Sequence, residues 1–189
     1  ATPEYEVYAI EYGWVPDVVL TRTLPRADSG LRVEMSTVKW LISGPDGRNI
    51  LVDTGYRPDV SNATTRSARD YLRPDQAVAR LGVSAEDVSD IILTHLHWDH
   101  ADGVTLFPNA HVWVQQAELE YYATTAWQKG ADHNGVLART APELVKLNTE
   151  GRVTLVQGDD QEIFPGIRAY TGPRHTYASQ YLGVNTAGG

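Results

Sequence analysis

The chain has 189 residues, with 24 acidic side chains against 16 basic ones and a formal charge of −8, so no nucleic-acid backbone is expected as a partner, because that needs clustered Lys and Arg. The absence of cysteine excludes disulfides, thiolate metal ligands and a thiol nucleophile. The length suits one domain, residues 1–189, with a substantial core, and no apolar run is long enough to span a membrane. In chain order, residues 5–12 alternate as a half-buried strand does, and 13–32, with Pro16, Pro25 and Gly30, read as loop. Segments 36–43 and 49–53 flank Gly44-Pro45-Asp46-Gly47, where Pro presets φ and Gly accepts positive φ, which predicts a hairpin. Pro74 opens a predicted helix over 75–81, and Ser84 precedes a short acidic turn. Ile91-Ile92-Leu93 reads as a buried strand. A strand is predicted over 111–114 and a helix over 116–123. The irregular stretch 124–150 contains Gly130, His133 and Gly135 before a helix near 141–147. Short strands follow at 153–156, 162–164 and 167–170. Short strands with interspersed helices and polar residues at strand ends predict an α+β sandwich, two packed sheets with helices outside.

The run Thr-His-Leu-His-Trp-Asp-His at 94–100 concentrates the chemistry. It holds three of the six histidines and an aspartate. On an extended backbone, side chains two apart share a face, so His95, His97 and Asp99 are expected on one side and His100 on the other. Ligands diverging in this way suit two adjacent ions. Imidazoles with carboxylate favour zinc, with iron or manganese as alternatives.

This run resembles the His-x-His-x-Asp-His signature of the metallo-β-lactamase superfamily. Asn49-Ile50-Leu51-Val52-Asp53-Thr54-Gly55 is similar to that family's strand ending in Asp-Thr-Gly. Residues 81–90 resemble the segment leading into its metal strand, and Gly172-Pro173-Arg174-His175-Thr176 resembles the loop carrying its third histidine. Within the superfamily, Trp98, the segment 114–121 and the long gap before His175 look closest to N-acyl-homoserine-lactonase-like hydrolases. The resemblance implies an αββα sandwich and two zinc ions. His95, His97 and His175 would hold the first ion, and Asp99 and His100 would begin the second site. A hydroxide between ions about 3.5–4 Å apart would be the nucleophile, with Asp99 as the catalytic base on bound water if the second ion is absent. The implied substrate is a small molecule, a lactone of the acyl-homoserine type. The alternatives are another hydrolase of the fold, acting on a β-lactam, a thioester or a phosphate ester, or a mononuclear iron persulfide-dioxygenase-like enzyme. A third is a chain that merely binds one ion. His97 stands where flavodiiron proteins have Glu, which argues against that redox branch. No Gly-x-Ser-x-Gly elbow or phosphate loop supports a serine hydrolase or a nucleotide site.

The family pattern continues with a bridging Asp and a final His. Fourteen residues follow His175, through Gly189, and none is Asp, Glu or His. The expectation is therefore a chain lacking its C-terminal part, since the alternative leaves a sheet edge and an apolar face unpaired. Ala1-Thr2-Pro3 at the start fits a cleaved export signal or a removed tag equally. The cytoplasm is the expected compartment with the periplasm as alternative, and a homodimer is compatible. Asp53 is read equally as an acceptor supporting a ligand imidazole and as a strand-end turn residue. His111 reads as a packed strand residue, His133 as a solvated loop residue bordering the cleft at most. Trp98 and Trp127 read first as core and second as walls of an acyl pocket. Tyr177 follows His175 closely enough to face the metals.

Overall fold

The computed structural model describes residues 2–22, 24 and 26–188; Ala1, Pro25 and Gly189, named above, lie outside them. The strands are β1 (Glu6–Val19), β2 (Arg32–Ser43), β3 (Asn49–Val52), β4 (Asp90–Ile92), β5 (His111–Gln115), β6 (Val153–Val156), β7 (Gln161–Phe164), β8 (Ile167–Thr171) and β9 (Gln180–Val184). The helices are α1 (Ala63–Ser67), α2 (Pro74–Ala79), α3 (Trp98–Ala101), α4 (Gln116–Ala123) and α5 (Thr140–Thr149).

The expected loop over 13–32 is corrected. β1 runs on to Val19 because its pairing with β2 tolerates two register shifts, between Glu11 and Gly13 and between Val15 and Val18. Pro16, which cannot donate to a ladder, falls in the second shift beside Asp17 at φ +60°. Tyr12, Val15 and Val18 are thereby buried. The predicted hairpin is present, with Ser43 opposite Asn49 and Gly47 at φ +79° in the turn. α2 starts on Pro74 and stops at Ala79, two residues short of the expected end; Gly82 takes φ +78° and Leu81 is exposed.

Six strands form one sheet in the order β1-β2-β3-β4-β5-β6, and β7-β8-β9 form a second. Pairing is antiparallel from β1 to β3 and parallel from β3 to β6. Because side chains alternate across a strand, neighbours in the sequence serve different layers. Leu41, Leu51, Ile91 and Val112 face the helices, where they meet Leu119 of α4 and Leu144 of α5. Ile42, Ile50 and Ile92 face the second sheet, where they meet Ile163, Ile167 and Ala169. The molecule is thus an α+β sandwich with helices on one face of the large sheet and the small sheet on the other.

Parallel pairing sets the site. β3 and β4 end at the same edge, so Asp53 and the 93–97 segment emerge side by side, where ligands gather in parallel sheets. The connection from β8 to β9 reaches that edge too, with Gln180 N–H donating to Thr94 O at 2.8 Å. Among the described residues no helix is long and apolar enough to cross a membrane.

Candidate metal centre

Asp53 organises the turn that follows β4. It is buried, with φ +62°, a left-handed conformation costing a non-glycine residue on the order of 1 kcal/mol. Three contacts offset that cost. Thr94 N–H donates to Oδ1 at 2.8 Å, Thr94 Oγ1 donates to Oδ2 at 2.8 Å, and His100 Nδ1 lies 2.7 Å from Oδ2. Leu96 is fully buried and anchors the segment between His95 and His97.

The expectation of one extended face is corrected at His97. That residue (φ −60°, ψ 153°) is the last extended one, and α3 begins at Trp98. The helical turn brings His100 back over His95, ring centroids 4.0 Å apart, instead of pointing it away. A four-residue helix cannot hold itself, and hydrogen bonds to distant segments fix it. Trp98 N–H donates to Gly135 O at 2.8 Å, Tyr12 Oη to Asp99 O at 2.9 Å, and Thr54 N–H and Oγ1 both donate to His100 O, at 2.6 and 2.9 Å. Gly135, at φ +78°, lies flat against His97; a Cβ there would stand 2.8 Å from the ring.

One nitrogen each of His95, His97 and His175 lies within 4.8 Å of the others. His95 Nε2 and His97 Nδ1 are 3.2 Å apart. The three rings meet edge to face, with centroids 4.6–4.8 Å apart. His95 is buried, His97 half-buried and His175 exposed, so the cluster opens to solvent on the His175 side. Burial, with His100, His97 and His175 adding to it, pulls the His95 pKa down to about 2. Burial and His175 also lower His97, against the opposing pull of Asp99. Neutral imidazoles are the ligand form, and three converging ones with an open side fit a divalent ion that keeps a free position. Asp99 and His100 stand beside this trio as a pair, His100 Nε2 lying 3.6 Å from Asp99 Oδ2. Burial lowers His100, but the facing Asp53 carboxylate outweighs it and raises the pKa to about 9. His100 Nδ1 is engaged by Asp53, and Nε2 faces Asp99.

The remaining sequence candidates separate clearly. His111 Nε2 is 2.8 Å from Thr154 Oγ1 on β6, a strand contact away from the cluster. His133 is exposed, its Nδ1 3.0 Å from Ala126 O. Trp98 packs on Tyr56 at the core's margin. Trp127 is corrected: it is 37% exposed, with Nε1 donating to Tyr122 O and its ring against His133, so it is surface rather than core. Tyr177 stacks on Tyr121 with centroids 4.1 Å apart. Both line a cleft of about 230 Å³ that His97, His175, Asn134 and Arg174 share. Residue-type reasoning missed Gly135, Tyr12 and Glu118, whose importance comes from packing around the cluster and has no local signature.

Two sheets, helices on one face and a histidine cluster at the strand ends define an α+β sandwich of a particular kind. The chain belongs to the metallo-beta-lactamase superfamily, whose family model matches residues 35–184. It is 39% identical over 116 residues to an N-acyl homoserine lactonase of Azorhizobium caulinodans, covering 56% of this chain and 44% of that protein. It is 33% identical over 107 residues to an N-acyl homoserine lactonase of a Bacillus species, covering 57% and 37%. The chain therefore spans less than half the length of these curated relatives. An N-acyl homoserine lactone hydrolase, solved with its product N-hexanoyl-L-homoserine at the catalytic metal centre, shares the fold. Its TM-score is 0.70 at 22% identity, over 100% of this chain and 73% of that one.

Proposed function

We propose that this chain is a metal-dependent hydrolase acting on a lactone of the N-acyl-homoserine type. The observation that carries the reading is the convergence of His95, His97 and His175 on one solvent-facing point beside a cleft. The two lactonase relatives supply the substrate class. His95, His97 and His175 would hold a first zinc ion, and Asp99 with His100 Nε2 would contribute to a second. Bound there, such ions supply a hydroxide nucleophile at neutral pH and polarise the ester carbonyl.

The protein's own part is placement. Asp53 orients His100 through Nδ1, a usual arrangement for a metal-binding imidazole. Tyr12 and Thr54 hold the α3 backbone at the carbonyls of Asp99 and His100. Asp99 would serve as the base toward bound water if only one ion were held. Asn134, Arg174 and Tyr177 offer hydrogen-bonding groups to the amide and ring of a substrate in the cleft.

His97→Ala tests the reading directly. Metal content by mass spectrometry and ring opening of N-hexanoyl-homoserine lactone by chromatography are measured together. Loss of the ion with hydrolysis at background is expected; unchanged turnover would sink the proposal. Zinc in the active protein supports hydrolysis, whereas a single iron with oxygen consumption would favour an oxygenase.

A further inference from the structure

α4 carries a carboxylate outside the reading above. Glu118 is fully buried, so it meets neither substrate nor water, and a buried acid without donors is costly. Its donors come from two distant segments. Leu96 N–H donates to Oε1 at 3.1 Å, and Ala178 N–H donates to Oε2 at 2.6 Å. Leu96 lies between His95 and His97, and Ala178 lies three residues beyond His175. One carboxylate therefore ties both strips of chain that carry the three clustered histidines.

The tie is made from a fixed element. Leu119 and Tyr122, on the same helix, are buried in the core, and Trp127 Nε1 donates to Tyr122 O just beyond its end. Among the described residues, the other hydrogen bonds between the strips, from Gln180 N–H to Thr94 O and from Gln180 Nε2 to Leu93 O at 2.7 Å, meet the first strip before His95. Among the described residues, Glu118 alone takes a hydrogen bond from the residue between the first two histidines. Its task needs two acceptor oxygens, and glutamine has one oxygen and an NH₂ that would face an N–H donor.

We propose that Glu118 is a positioning residue that sets the spacing between the His95–His97 strip and the His175 strip, and so the geometry an ion meets. The proposal rests on the metal-centre reading given above.

The test uses Co²⁺ loading of the full 189-residue chain, comparing wild type, E118Q and H97A under conditions where circular dichroism shows each to be folded. E118Q is expected to lose cobalt to a competing chelator about 10- to 100-fold more readily, as loss of a supporting hydrogen bond does, and to alter the visible cobalt absorption. If H97A loses the ion while folded E118Q keeps wild-type affinity and spectrum, the positioning role is overturned and the metal centre stands. If H97A binds cobalt like wild type, both fail. Should E118Q not fold, amide exchange in wild type decides. Linkage requires that an ion positioned through Glu118 slow exchange at Leu96 and Ala178 in return. Slowing at both supports the role, and no change at either overturns it.

Discussion

Asp53 shows how one residue joins backbone strain to the site. Its left-handed φ of +62° turns the chain at the end of β3 so that both carboxylate oxygens face Thr94 and His100. Asparagine tolerates that φ nearly as well as aspartate, so Asp53→Asn isolates the hydrogen bonding. Its amide cannot accept from all the donors, and the expected loss is about 1–3 kcal/mol in urea unfolding. Asp53→Ala should cost more, because it adds the strain of alanine at positive φ. Equal midpoints for Asn, Ala and wild type would remove Asp53 from the account. Sequence reading left two equal roles for this residue, a turn and an imidazole acceptor. In the folded chain it has both geometries at once, and the positive φ is what makes the second one reachable.

At the scale of elements, α3 depends on its neighbours at both ends. Asp102, directly after the helix, is fully buried and takes charged hydrogen bonds from two arginines. Arg57 Nη2 reaches its Oδ1 at 3.0 Å and Arg139 Nε the same oxygen at 2.7 Å, while Arg57 N–H donates to Oδ2 at 2.8 Å. Arg139 also pairs with exposed Asp59 at 2.9 Å. Removing the buried carboxylate takes the shared partner from two guanidinium groups, which keep only Glu143 and Asp59, so Asp102→Ala should cost about 1–3 kcal/mol. Asp59→Ala should cost under about 1 kcal/mol, as exposed pairs do. Thermal midpoints of the two variants check this, and comparable losses would show that the network is not centred on Asp102. The same dependence explains what could be read from sequence. β4 was legible because Ile91-Ile92-Leu93 is a continuous apolar run that signals burial by itself, although β3 and β5 supply its partners. α3 was not: four residues carry no helical period, and Gly135, Thr54 and Tyr12 supply its fixing contacts from three other places. β9, with Gly183 inside it, escaped for a similar reason, since its ladder partner among the described residues is β8. The metal-type residues were legible from spacing and resemblance. The face each one occupies was not, because the change from extended to helical backbone at His97 reverses the simple alternation.

For the molecule as a whole, Lys39 ties the pH dependence of folding to the layer between sheet and helices. It lies on β2 with 1% exposure. Its Nζ donates to Pro74 O at 2.6 Å and Thr54 O at 3.5 Å, and stands 5.3 Å from the Tyr12 ring centroid and 5.9 Å from that of Phe107. Burial lowers its pKa from 10.5 to about 7, against the raising influence of Asp75 at the start of α2. Between those two values the unfolded chain holds a proton that the folded one has released. Stability from this group therefore rises with pH across that window, and below the folded pKa the full penalty of burying charge applies. Each unit of the difference corresponds to about 1.4 kcal/mol. Across pH 7 to 9 the urea midpoint of wild type should rise relative to that of Lys39→Met, because His100, its pKa raised to about 9, loses stability over the same window equally in both proteins. Methionine fills similar space without a charge to desolvate, so the variant should also be the more stable protein at pH 6. Parallel curves for the two proteins would refute the assignment. The carbonyls that Lys39 bonds belong to Thr54, which supports His100, and to Pro74, which starts α2. A proton gained in this core therefore bears on the shared packing of sheet, helix and histidine turn, and the pH slope should appear in global unfolding rather than in a local transition.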